Sequence, residues 1–177
     1  MVDSRLKLGR CTALFSATLS PPSYYKTVLG CDSPQEVTHS YALPSPFDPQ
    51  NLCLLICPQI NTRWAAREES LVPIARLLFA MVSAKSGNYL AYFPSYQYLQ
   101  MEAETFSKLY PQVELLLQSP EMDDSQREQF LRRFDNPHPD APLLAFAVLG
   151  GIYSEGVDLK GEKLLGSAII GTGLPKV

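Results

Sequence analysis

Leu143-Leu144-Ala145-Phe146-Ala147-Val148-Leu149 runs directly into Gly150-Gly151-Ile152-Tyr153-Ser154-Glu155-Gly156-Val157-Asp158-Leu159-Lys160-Gly161. The first part is apolar without interruption, the pattern of a strand covered on both faces, as in a parallel sheet flanked by helices. The second part holds four glycines, one glutamate and one aspartate. Glycine has no Cβ, so backbone N–H groups in such a loop can come close to a ligand. In open parallel sheets ligands bind at the carboxyl ends of strands. Strand and loop together predict an α/β fold with a site at a strand exit. Glu155 and Asp158, three residues apart, need a cationic or hydroxyl partner if the loop is enclosed, and are solvated loop acids if it is not.

Working outward, strands and helices alternate. Leu14-Phe15 reads as a short strand, and Ser20 as the cap of a helix with Pro21 in its first turn, running to Gly30. Residues 43–50 carry three prolines in six positions and form an extended connector. Leu52 to Cys57 reads as a strand. From Leu71, the apolar residues Ile74, Ala75, Leu78 and Val82 mark a helical stripe, with Pro73 in the first turn or kinking it. Asn88 to Phe93 is a strand, and Pro94-Ser95 opens a helix with Tyr96, Leu99, Ala103, Phe106 and Tyr110 on one side. Val113 to Leu117 is a strand, Asp123 and Gln126 form a capping box, and Ser167 to Gly171 is the last strand. Alternation of this kind means βαβ units and a mostly parallel sheet.

At 177 residues the chain suits one well-cored domain. Hydrophobic residues make up 46% and charged residues 19%, a globular composition. A net charge of −3 and a pI near 5.4 argue against coating nucleic acid by bulk charge, leaving only a local basic groove. No apolar stretch approaches the ~18–20 residues of a membrane span, and Met1 to Arg5 lacks a signal-peptide core. A cytoplasmic protein without a membrane partner is expected, associated with the nucleoid if bacterial. Cys53 and Cys57 bracket an apolar run at a spacing of ~13 Å on a strand, unlike a metal-binding spacing. All four cysteines, with Cys11 and Cys31, are expected to be buried free thiols.

Several motifs are absent. There is no G-x-x-x-x-G-K-[ST], and the nearest imitation, Gly161 to Ser167, lacks the lysine after its second glycine. Paired magnesium-binding acids at a strand end, G-x-S-x-G and H-E-x-x-H are also missing. His39 and His138 are the only histidines, and neither suits a catalytic or metal role. Three local patterns remain. Ser16-Ala17-Thr18-Leu19 follows a short apolar run, where turn and capping chemistry explains the hydroxyls as well as function does. Tyr92-Phe93-Pro94-Ser95-Tyr96 puts a hydroxyl and a helix N-terminus at a strand exit, which is either a phosphate site or an ordinary N-cap. The Gly150–Gly161 loop is the third.

Taken in order, these patterns resemble the second motor domain of superfamily 2 DNA helicases of the DinG/XPD (Rad3-related) type. Ser16 to Pro21 looks like motif III, Gly87 to Tyr96 like motif IV, and Gly150 to Gly161 like motif V. Ile169 to Pro175 continues in the family's order, and Ser45-Pro46-Phe47 and Gln118 also fit. The resemblance runs from about Ala13 to Pro175. It implies a RecA-like three-layer domain, a mostly parallel sheet flanked by helices, that closes over ATP held mainly by a first motor domain. That first domain would carry the P-loop, the magnesium acids and, in many members, an iron–sulfur cluster; none of these is expected in this chain. Beginning at motif III and stopping before motif VI, residues 1–177 read as a single-domain fragment that is not catalytic alone.

Carried over by position, the resemblance implies that Glu155, Gly156 and Asp158 face the nucleotide. Ser95, Tyr96, Gly150, Gly151 and Ser154 would touch the backbone of single-stranded DNA. Ser16 and Thr18 would lie on the element coupling ATP state to DNA grip. Arg63 and Arg67 would add a basic contact or remain solvated surface arginines. The implied partners are single-stranded DNA and the first RecA-like motor domain of the same polypeptide, with 5′-to-3′ polarity. Two other readings stay open: a stand-alone α/β module binding a phosphorylated small molecule, and a domain that docks a protein partner.

Overall fold

The computed structural model describes residues 8–16, 19–31, 38–135, 141–154 and 157–172. Backbone contacts divide the chain into two units, residues 1–55 and 56–177. In the first lies helix α1 (Pro22–Val28). Its N-cap is Pro21 rather than Ser20, because Pro22 occupies the first helical position with its φ already set and no N–H to satisfy. The proline-rich connector is extended and ends in a 3₁₀ turn, Pro49–Asn51, where Asp48 accepts from the Gln50 N–H at 2.9 Å.

Two expected strands are not formed. Leu14-Phe15 joins no ladder, and Phe15 is 91% exposed. Leu52 to Cys57 is likewise without strand pairing, and Leu52, Leu54, Leu55 and Ile56 are 71–81% exposed. An apolar run is a strand only when a neighbour accepts its hydrogen bonds, and the described residues supply none here. The thiols follow: Cys11, Cys53 and Cys57 are exposed and Cys31 half-buried, not the buried set expected.

The second unit holds α2 (Arg67–Ala84), β1 (Asn88–Phe93), α3 (Tyr96–Leu109), β2 (Glu114–Leu117), α4 (Asp124–Arg132), β3 (Leu143–Val148) and β4 (Gly166–Ile169). All strand pairs are parallel, in the order β2-β3-β1-β4. Register runs from Asn88↔Leu143 to Phe93↔Val148 between β1 and β3, and from Tyr89↔Gly166 to Tyr92↔Ile169 between β1 and β4.

Strand residues alternate between two cores, as a period of two requires. Tyr89, Ala91, Phe93, Leu144 and Phe146 pack with Ile74, Leu78 and Val82 of α2 and Leu99, Ala103 and Phe106 of α3. Leu90, Ala145 and Ala147 pack on the other face with Phe130, Phe134 and Tyr153. Burying each of the Leu, Ile, Val and Phe side chains among these stabilises by roughly 1.5–3 kcal/mol. The result is a three-layer α/β sandwich around β1 and β3.

Helix α2 starts at Arg67, so Pro73 sits inside it and not in its first turn. Its missing N–H falls on an exposed position, where water can take the freed carbonyl. The capping box of α4 is complete, with Asp123 accepting from the Gln126 N–H at 2.8 Å and Gln126 accepting from the Asp123 N–H at 2.9 Å. Among the described residues no helix is long and apolar enough to cross a membrane.

Candidate nucleotide and nucleic-acid site

Because the sheet is parallel, the exits of β1, β3 and β4 share one rim. The ladder continues to that rim: the Leu149 N–H donates to the Phe93 carbonyl at 2.8 Å and the Ile170 N–H to the Tyr92 carbonyl at 2.9 Å. At the β1 exit, Ser95 is the N-cap of α3, its hydroxyl accepting from the Tyr98 N–H at 3.3 Å. The ordinary capping role is therefore real. The same hydroxyl also accepts from Arg67 Nη1 at 3.4 Å, and the Arg67 guanidinium lies 4.8 Å from the centre of the Tyr98 ring. A cation and the first N–H groups of a fourteen-residue helix thus converge beside Ser95.

Gln118, 4% exposed just past β2, ties this exit to the next one. Its Nε2 donates to the Tyr96 hydroxyl at 2.9 Å and its Oε1 accepts from the Val148 N–H at 2.8 Å. Gly151 lies against it: a Cβ there would stand 2.9 Å from the Val148 carbonyl oxygen and 3.3 Å from Gln118 Nε2. Only glycine lets the loop turn this close to the amide. Gly150 is required for a different reason, its φ of +71°.

Beyond Gly151 the loop folds back on itself. The Ser154 N–H donates to the Gly151 carbonyl at 3.0 Å, and its hydroxyl to the Val148 carbonyl at 3.2 Å. Tyr153, 2% exposed, stacks on Phe130 at 4.3 Å, and the Tyr92 hydroxyl donates to the Tyr153 carbonyl at 2.8 Å. These anchors leave a cavity of about 270 Å³ lined by Tyr92, Tyr153, Ser154, Val157 and Asp158 among others.

The structure thus brings Ser95, Tyr96, Gly150, Gly151 and Ser154 to one rim. Glu155, Gly156 and Thr18 lie outside the described residues, and Ser16 is an exposed residue of the 1–55 unit without regular structure. Asp158 is 70% exposed, yet it has a cation: Lys160 Nζ stands 2.8 Å from its carboxylate. That hydrogen bond and charge push the lysine above its ordinary pKa. Lys160 was legible as i+2 on an extended segment, which returns a side chain to the same side. Tyr153, the aromatic among the glycines, and the Arg67–Ser95 contact gave no comparable signal.

Gly161–Lys163 is a 3₁₀ turn and Gly166 opens β4, so the apparent phosphate loop is not a cradle. Among the described residues no three His, Cys, Asp or Glu side chains cluster to hold a metal ion.

Residues 78–177 match the helicase C-terminal domain family. The chain is also similar to two proteins described as ATP-dependent DNA helicase CHL1. One, from Debaryomyces hansenii, is 23% identical over 97% of this chain and 23% of the relative. The other, from Vanderwaltozyma polyspora, is 26% identical over 97% of this chain and 22% of the relative. The chain therefore spans less than a quarter of the length of these curated relatives. With an all-parallel sheet between helical layers, and β1, β3 and β4 and their loops inside the matched region, the fold is RecA-like and the chain belongs to the helicase C-terminal domain family.

Proposed function

We propose that this chain is the second motor half of an ATP-dependent DNA helicase moving 5′ to 3′, and that its strand-exit rim grips the backbone of single-stranded DNA. The observation that carries the reading is the Gln118 link, which holds Tyr96 at one exit and the Val148–Gly151 turn at the next in a single unit. A translocating motor must hold any sequence, so it contacts phosphates and not base edges. Ser95, the helix N-terminus behind it, Tyr96 and the backbone N–H of Gly150 offer donors of that kind, while the Gly151 N–H closes the turn by donating to the Val148 carbonyl at 3.1 Å. The Tyr96 hydroxyl accepts from Gln118, so its own hydrogen is not used in that bond. Ser154 supports the grip by closing the turn.

The nucleotide lies on the Asp158 side of the loop, with Glu155 and Gly156 its neighbours in sequence. Asp158, exposed and paired with Lys160, exchanges that partner for a ribose hydroxyl or an arginine when the first motor domain docks. In this reading the ATP phosphates, magnesium and any iron–sulfur cluster are held mainly by the first motor domain. In the joined enzyme, hydrolysis is a matter of positioning and charge stabilisation by both halves.

The test is an ATPase assay on the polypeptide that joins this chain to a P-loop half. Single-stranded DNA is expected to stimulate hydrolysis, and Asp158→Asn to abolish the stimulated rate while leaving the fold intact. A joined protein whose hydrolysis ignores DNA would sink the reading.

A further inference from the structure

Trp64 is the one tryptophan of the chain and is 78% exposed, unusual for a side chain that gains so much from burial. Its backbone is well held. Trp64–Ala66 is a 3₁₀ turn with Arg63 as N-cap; the Arg63 N–H donates to Asn61 Oδ1 at 3.1 Å and the Ala66 N–H to the Arg63 carbonyl at 2.9 Å. The segment lies against the strand-exit rim at both ends. Thr62 lies against Gly171, just past β4, where a Cβ would come within 3.2 Å of the threonine hydroxyl. Arg67 reaches Ser95, just past β1. Arg63 and Trp64 are therefore displayed between the exits of β4 and β1. Among the described residues neither Arg63 nor Arg67 has a carboxylate within ion-pair distance. Glu68 and Glu69 follow in the first turn of α2, where they complement the helix dipole.

An exposed indole on a rigid turn, flanked by two such arginines, suits single-stranded nucleic acid, whose bases stack on aromatic faces while its phosphates meet cations. We propose that Trp64 is a base-stacking platform that extends the DNA path from Ser95 towards β4, with Arg63 and Arg67 contacting the flanking phosphates. This rests on the DNA-gripping reading above and adds to it a contact to the bases.

Trp64 is its own reporter. Titrating the 177-residue chain with short oligo(dT) at low salt should quench its tryptophan emission. Trp64→Ala should weaken binding about tenfold, Trp64→Phe should recover most of that loss, and Arg63→Ala should lower the salt slope by about one. An abasic strand of equal length should bind the unmutated chain as weakly as oligo(dT) binds Trp64→Ala, and should not sense that substitution. Binding with unquenched emission and an unchanged Trp64→Ala affinity would overturn the inference and leave the Ser95–Tyr96 grip standing. Absence of any binding would overturn the DNA-gripping reading and the stacking platform with it.

Discussion

The side-chain amide of Gln118 spans two strand exits, donating to the Tyr96 hydroxyl at 2.9 Å and accepting from the Val148 N–H at 2.8 Å. Strands β1 and β2 are not neighbours; β3 lies between them. A residue past the edge strand therefore reaches across the end of β3 to the helix that follows β1. This is how the turn at 94–96 and the turn at 149–154 come to be joined.

Gln118→Leu should strip the Val148 N–H and the Tyr96 hydroxyl of their partner, costing about 1–3 kcal/mol of stability. Tyr96→Phe removes only one end of the link and should cost less. In urea denaturation the double variant should fall short of the sum of the singles, because both substitutions break the same bond. Strict additivity would show that the link is not energetically real.

Two adjacent glycines should respond differently to alanine. At Gly151 the new methyl would stand 2.9 Å from a backbone oxygen, so the loop must shift, at a cost of about 1–3 kcal/mol. At Gly150 nothing lies within 4 Å, and only the positive φ opposes the change, about 1–2 kcal/mol. Thermal melts of the pair should put Gly151→Ala lower. Only that variant should also disturb the Tyr96 environment.

Glu102, in α3, is fully buried, and among the described residues neither carboxylate oxygen has a hydrogen-bond partner. Burial pushes its carboxyl from the ordinary 4.5 up to about 8. The folded chain thus keeps a proton that the unfolded chain releases. Stability from neutral Glu102 is complete below about pH 4.5, declines as pH rises towards about 8 and is flat above. The slope approaches 1.4 kcal/mol per pH unit for one group. Glu102→Gln, always neutral, should match the parent near pH 4.5 and exceed it by a few kcal/mol at pH 8 in urea denaturation. Identical pH profiles would mean that Glu102 finds a partner when ionised.

The exposed apolar run from Leu52 to Ile56 should make the chain associate with itself as concentration rises. Leu54 and Ile56 fall on one side of an extended backbone, so Leu54→Lys with Ile56→Lys should suppress that association in sedimentation experiments without changing the melting temperature. A lower melting temperature would show that the run is packed in solution.

Most of the second unit was legible in the chain. The run from Leu143, the stripe of Ile74, Ala75, Leu78 and Val82, and the Asp123–Gln126 box mark elements whose cause is local. A helix or strand records its buried face every 3.6 or 2 residues. The misread segments, Leu14-Phe15 and Leu52 to Cys57, share a different cause. Their apolar pattern was correct for a strand, but pairing requires a partner elsewhere, and no local pattern reports one.

The same division holds for the site. Short-range chemistry decided that a glycine-rich acidic turn leaves a buried strand, that Ser95 starts a helix, and that the fold is α/β. Long-range packing decided which of these meet. Placing β3 between β1 and β2 put Gln118 beside Tyr96 and Gly151; the chain path before α2 set Arg67 against Ser95 and left Trp64 facing outward; and helix packing closed over Glu102. Periodicity and capping act between residues a few positions apart. Strand order and burial emerge only when segments dozens of residues apart compete for the same surface.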